Sequence, residues 1–531
     1  MSSGSPTHGM TPHQRVIRER RQYNQWVANQ TLEDYALRFT ANSARKWSSF
    51  RVANTALGAV SFLALEAIGG AITLSYGFSN AAAAILVVGT IIFLAGLPIC
   101  YYAAKYGVDI DLLTRGAGFG YIGSTITSLI YASFTFIFFA LEAAIMALAL
   151  QMCFGLPLWL GYLISALIAI PLVTHGITTI SRFQMITQPA WIVLQLLPFI
   201  FIGAKGLFDL DGWMAYPGAH GAPDGSIDLL HFGAASAVVF SLIAQIGEQV
   251  DYLRFLPRDR RGKRTGWWIA MVSAGPGWVV PGMLKLLAGS FLAVLALNAG
   301  VPFASAAEPT QMYLLAFTQV ISQPDIAIAL TGAFVVISQM KINVTNAYAG
   351  SIAWSNFFSR LTHSHPGRVV WLVFNVAIAI ILMELGIYKA LEHTLGLYAN
   401  IAVAWVGCIV ADLVINKPLG LSPRHIEFKR AHLYDINPVG VGAMLIASVV
   451  SITAYADVLG DTARALAPFI ALGTALVVSP LIAIATGGKF YIARKPTTPF
   501  ADSKPERCCI CEHTFEPEDM AHCPVYAGPI C

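Results

Sequence analysis

The chain has 531 residues, 56% of them hydrophobic and only 12% charged, with a formal net charge of +4 and a mean hydropathy of +0.64. Soluble globular domains are nearer one quarter charged, so the balance excludes a water-soluble fold and argues for an all-α polytopic membrane protein. The small positive charge needs no nucleic-acid partner to explain it.

Residues 1–50 read as a cytoplasmic tail. Within it, 31–47 mixes apolar and charged positions in the manner of an interfacial helix. A polar, basic start is not the short apolar core of a secretory signal. A bilayer-spanning helix needs about 20 largely apolar residues. Twelve such runs follow between 51 and 488, near 51–77, 80–104, 121–153, 157–176, 188–209, 231–253, 266–298, 326–357, 369–388, 394–416, 438–457 and 465–487. Cytoplasmic loops are enriched in Lys and Arg. Of the 33 Lys and Arg, 28 fall on the side of the N-terminus, 3 (Lys205, Lys389, Arg464) on the other, and 2 (Lys285, Lys341) within runs. Twelve spans with both termini cytoplasmic, in a cell (inner) membrane, follow from that asymmetry.

Ionisable residues inside a span face a cavity or a partner. In the first run Glu66 precedes Gly69 and Gly70, a pair that marks either an unwound segment lining a cavity or close helix packing. In the third, Phe134, Phe138 and Glu142 are four apart and share a face, a pattern that suits a flat ligand which stacks and donates hydrogen bonds. The sixth ends with Gln245, Glu248, Gln249 and Tyr252 as a polar stripe. In the eighth, "QMKINVTNAYAGS" puts Gln339, Asn343, Asn346 and Gly350 on one face and Lys341, Thr345 and Tyr348 on the other. A helix polar on two sides at one depth has to be central to the bundle.

"INVTNAYAGSIAWSN" (342–356) resembles the eighth-helix motif of the nucleobase:cation symporter-1 family, purine–cytosine permease branch, in which two hydroxyl residues precede Asn-x-x-Asn-Ala-Tyr. "DYLRFLP" (251–257), "LTRGAGFGYIGS" (113–124) and "FFALE" (138–142) are similar to further motifs of that family, and the resemblance covers roughly 35–487. It implies a five-plus-five inverted-repeat core, leucine-transporter-like, with two extra helices, and a planar solute held between helices one, three, six and eight. The function so implied is a permease for a small nitrogen-heterocyclic solute, not an enzyme. Phe138 would stack on the solute, and Glu142, Gln245, Glu248, Gln249, Asn343 and Asn346 would contact it. Lys341 and Ile342 stand where the family has its sodium-binding hydroxyls. Lys341, with Glu66 as counter-charge and Thr345 beside it, is therefore expected to replace the ion, leaving movement independent of sodium.

After residue 488 comes a linker (489–507) and a Cys-rich tail (508–531). Cys508, Cys511, Cys523 and Cys531 have zinc-like spacing, though a single Cys-x-x-Cys is an incomplete set. The tail looks like the linker that joins permease-like input modules to sensor histidine kinases. A second reading therefore stays open, a transporter-derived sensing module that works through a cytoplasmic signalling partner.

Overall fold

A computed structural model describes residues 22, 25–42, 44–221, 225–258 and 264–494, and in the tail 506–509, 514–515, 520–523 and 528–530. Among these, nine helices are long and apolar enough to cross a membrane, and a bent pair, Ser49–Ser61 with Ala64–Tyr76 at 44°, makes a tenth crossing. Two shorter apolar segments, Leu158–Thr174 and the 17-residue Arg368–Glu384, fill the remaining expected runs. Every one of the twelve apolar runs contains helix. The protein is an all-α polytopic membrane protein.

The bend in the first span has a specific construction. Helix α1 (Ser49–Gly58), capped by the Ser48 hydroxyl on Arg51 N–H, passes into a 3-10 turn at Ala59–Ser61. Phe62 is extended (φ −62, ψ 134), and α2 (Ala64–Tyr76) then begins. The break thus lies before Glu66, and the Gly69-Gly70 pair sits inside intact helix. Those glycines serve packing. A Cβ at Gly69 would lie 1.9 Å from the Leu286 carbonyl, and one at Gly289 would lie 2.2 Å from that of Glu66.

Next come α3 (Phe78–Tyr106), α4 (Ser124–Phe154), α5 (Leu158–Leu167), α6 (Ala169–Thr174) and α7 (Ile177–Ala204). The sixth span is interrupted too, with α8 (Leu229–Phe240), a 3-10 turn at Ser241–Gln245 and α9 (Ile246–Leu253). The run expected at 266–298 is two helices. α10 (Arg264–Ala274) ends at Gly275, because Pro276 lacks an N–H and restricts the residue before it, and α11 (Val279–Asn298) follows. α12 (Pro309–Val320) lies before α13 (Pro324–Leu361), whose 38 residues pack along α4 through the centre. α14 (Arg368–Glu384), α15 (Leu391–Ala411), α16 (Pro438–Tyr455) and α17 (Ala467–Thr486) complete the bundle.

The interfacial helix expected at 31–47 does not form among the described residues. This segment is a series of turns, with Asp34 (φ 47) and Tyr35 (φ 60) in the left-handed region. Its carbonyls are taken by the bundle instead of by a helical ladder, since Arg254 donates to those of Asp34 (3.0 Å) and Tyr35 (2.9 Å). In the tail, β1 (Glu506–Arg507) pairs with β2 (Thr514–Phe515), and β3 (Ala521–Cys523) with β4 (Gly528–Ile530), both antiparallel. Cys508 is buried. Cys511 and Cys531 lie outside the described residues, and Cys523 is described by its backbone alone.

Candidate functional site: a polar chamber at the broken helix

An interrupted helix inside a membrane leaves backbone N–H groups that need partners. Here α4 and α13 supply them. Ala64 N–H donates to Glu142 Oε1 (3.3 Å), and Leu63 N–H donates to Gln339 Oε1 (3.3 Å). Gln339 Nε2 donates in turn to the Glu142 carbonyl (3.2 Å), which places the Gln339 face of α13 against Glu142. Asn343 is one turn further along that face.

The polar side chains on that face are buried, and most go unanswered. Glu142 Oε2, Glu248 Oε1 and both amide atoms of Gln249, Asn343 and Asn346 have no hydrogen-bond partner among the described residues. All five residues are at most 1% exposed. Native folds satisfy nine in ten such groups, so five together form an exception that needs a cause. Gln245 is engaged, donating to Glu248 Oε2 at 2.6 Å, and Glu248 lies within electrostatic reach of Glu142. Phe138 borders this region, its ring 4.5 Å from that of Phe134 and 6.5 Å from that of Phe62. The geometry offers hydrogen-bond acceptors and donors beside aromatic rings, with no nucleophile–base pair among them.

The opposite face of α13 is paired. Lys341 Nζ donates to Gln184 Oε1 (2.6 Å), the Gln184 carbonyl (3.3 Å) and Thr187 Oγ1 (3.2 Å). Thr345 accepts from the Tyr252 hydroxyl (2.7 Å). Two helical faces with two polar environments match the projection made from the sequence. The expected pairing of Lys341 with Glu66 does not occur. Glu66 Oε1 is 2.7 Å from Lys285 Nζ and accepts from the Tyr313 hydroxyl (3.0 Å). Lys285 reaches Glu66 because Gly69 and Gly289 let α2 and α11 approach backbone to backbone. Gln184, Lys285 and Tyr313 were missed as partners because hydrogen-bond pairing between distant helices leaves no mark in local spacing.

The two ends of the bundle differ. At the end away from the N-terminal segment, a cavity of about 750 Å³ is lined by Ala67, Ala71, Glu308, Tyr388 and Glu392, and a second of about 700 Å³ shares Glu392 and His393 with it. Glu392 accepts from Ser75 (3.1 Å) and Tyr76 (3.2 Å) at the end of α2. The opposite end is closed by residues 30–36. Arg254 donates to Tyr348 Oη (2.7 Å) besides the carbonyls of Asp34 and Tyr35, and Tyr348 donates to Asp34 Oδ2 (2.9 Å). Arg368 donates to the Gln30 carbonyl (3.1 Å), and Glu33 pairs with His365 at 2.5 Å.

Solved structures share the fold that carries this site. Mhp1, a nucleobase-cation-symport-1 family transporter, in a closed conformation with bromovinylhydantoin bound, superimposes with a TM-score of 0.62 over 85% of this chain and 94% of its own, at 17% identity. The chain has the Mhp1 fold. The inward-facing conformation of Mhp1 gives 0.61 at 18% identity, covering 86% and 97%, respectively. A Na+-coupled sialic acid symporter in a substrate-bound outward-open state gives 0.53 at 13%, covering 89% and 98%. No protein-family model matches the chain, and no curated protein matches it. The resemblance read from the eighth-span motif is borne out at the level of fold.

Proposed function

We propose that the protein is a secondary transporter for a small nitrogen-heterocyclic solute, working by alternating access without sodium. The observation that carries this reading is the set of five buried side chains with unpartnered polar atoms on α4, α9 and α13 beside the broken first span. A solute that supplied their hydrogen bonds would offset the cost of leaving them dry. Phe138, in contact with Phe134 and Phe62, would stack on the solute's ring. The bromovinylhydantoin bound by Mhp1 is a ligand of that type, and the shared fold supports carrying the class over. The open cavities at one end and the closed N-terminal segment at the other fit one state of an alternating cycle, with the closed end cytoplasmic.

Sodium independence rests on Lys341. Its ammonium, held by Gln184 and Thr187, occupies the face of α13 where the resemblance puts sodium-binding hydroxyls. The test is uptake in proteoliposomes of labelled hydantoin and nucleobases, with and without sodium. Wild type should show uptake indifferent to sodium, and Lys341→Thr should gain a sodium dependence. Uptake that needs sodium in the wild type would overturn the ion assignment.

The tail and the Lys341 substitution also suit a sensing module, and binding without counterflow would select that reading. The zinc read from the tail's spacing is a proposal of the same standing, checked by the metal content of the purified chain.

A further inference from the structure

We propose that the solute of the central chamber is a planar nitrogenous cation of the amidine, guanidine or aminoimidazolium class, held between the Glu142 and Glu248 carboxylates. The inference rests on the binding role proposed above for the chamber and adds the charge of its ligand.

The argument is a census of buried charge. Among the described residues, each cation in the core of the bundle is already committed. Lys285 sits 2.7 Å from Glu66, and Lys341 is held by Gln184 and Thr187. Toward the closed end, Arg360 is paired with Asp111 at 2.5 Å, while Arg254 and Arg368 hold the N-terminal segment. Lys285 is within electrostatic reach of Glu142, but Glu66 balances its charge. Buried Asp34, Asp109 and Asp251 make no ion pair either, but all three lie within electrostatic reach of Arg254, which leaves Glu142 and Glu248, each fully buried with one oxygen unanswered, without a cation of their own. Burying an ionised carboxylate without a counter-charge is costly, so a cation is the natural completion of the pair.

Amides alone would have served a neutral ring. Asn343, Asn346 and Gln249 each present one acceptor and two donor hydrogens, which matches the alternating carbonyls and N–H groups of an imide. A carboxylate accepts only. Two of them facing ring carbonyls would set oxygen against oxygen. A planar cation with N–H groups on two edges meets both carboxylates and leaves the amides to fix its orientation. The rings of Phe138, Phe134 and Phe62 add an aromatic wall that attracts a delocalised cation as well as stacking on it.

The experiment uses the full chain in nanodiscs and two matched probe pairs, benzamidine against benzamide and 2-aminoimidazole against hydantoin, with binding read by calorimetry. The cation of each pair should bind at least tenfold more tightly. Glu142→Gln and Glu248→Gln should each weaken the cations at least tenfold while leaving the neutral partners unchanged or improved. Neutral probes that bind wild type as tightly as the cations, with Asn343→Ala weakening them, would overturn the charge assignment alone. No binding of any probe to wild type would overturn the chamber's binding role as well. Because the wild-type comparison decides both points, it does not depend on the folding of any variant.

Discussion

The molecule has two buried polar interiors that look alike in composition and differ in how they are completed. At the closed end, Arg254, Arg360 and Arg368 each have defined partners, and Tyr348 bridges Arg254 to Asp34. In the chamber, Asn343, Asn346 and Gln249 have none. Both regions are fully buried, so burial alone does not separate a structural polar cluster from a ligand site. The hydrogen-bond account does. At the closed end single atoms are left over (Glu33 Oε1, Asp34 Oδ1, Arg368 Nε), but each of those side chains has another atom engaged, and the residues hold two segments together. Where the fold has left whole amides open, a second molecule is the natural completion.

That contrast predicts opposite responses to substitution. The largest effect belongs to Arg254→Met, which strips the N-terminal segment of its anchor and leaves the carbonyls of Asp34 and Tyr35 without their donor. Thermal unfolding should show a loss of about 3–5 kcal/mol. Arg254→Lys should recover little of it, since an ammonium cannot reproduce the planar fork that spans two carbonyls and a hydroxyl. Next is the Glu66–Lys285 pair. Lys285→Met alone should cost about 3 kcal/mol by stranding a buried carboxylate, and adding Glu66→Gln should restore most of it. A double-mutant cycle on unfolding measures that coupling.

In the chamber the sign changes. Asn343→Ala and Gln249→Leu remove groups that have no partner to lose, so stability should stay within about 1 kcal/mol of wild type or rise. Stabilisation by an added heterocycle should disappear in both. If Asn343→Ala cost as much as Arg254→Met, the open amides would be structural after all, and the comparison would collapse.

The sequence made the outline legible because hydropathy is additive along the chain. Twelve apolar runs emerged as helices, and the two faces of α13 followed from a 100° repeat. Local chemistry was less readable. Gly69-Gly70 invited a break, yet the chain unwinds at Phe62, where Glu142 and Gln339 wait to accept the freed N–H groups. A break is stabilised by distant acceptors as much as by residues that weaken the helix, and only the former decided its position. Lys341 and Glu66 were matched by charge, whereas packing gave Glu66 to Lys285. Residues 31–47 have the composition of an interfacial helix, but Arg254 takes the carbonyls of Asp34 and Tyr35 that a helical ladder would have used. Each miss is a long-range partner overriding a local preference.

The smallest effect tests the closed end by pH. Asp109 lies in the connection between α3 and α4, where its carboxylate accepts Leu112 N–H at 2.8 Å and Asn356 Nδ2 at 3.5 Å. Burial, with Asp111 beside it, pushes the Asp109 carboxyl above the usual range. An unfolded chain would release this proton near pH 3.9. Between that value and the raised one the folded chain binds more protons, so stability from this group rises as pH falls through the window and is absent at pH 7. Asp109→Asn keeps an acceptor for Leu112 and removes the titration. Unfolding measured at pH 4.5 and pH 7 should therefore show wild type gaining relative to the variant at the lower pH, by about 1 kcal/mol. Carboxylates that do not face Asp109 titrate alike in both proteins and cancel, and the difference reads Asp109 together with its neighbours Asp111 and Asp251. An identical pH dependence would mean that Asp109 is solvated like an ordinary surface carboxylate, and that the closed end is looser than its arginine pairings indicate.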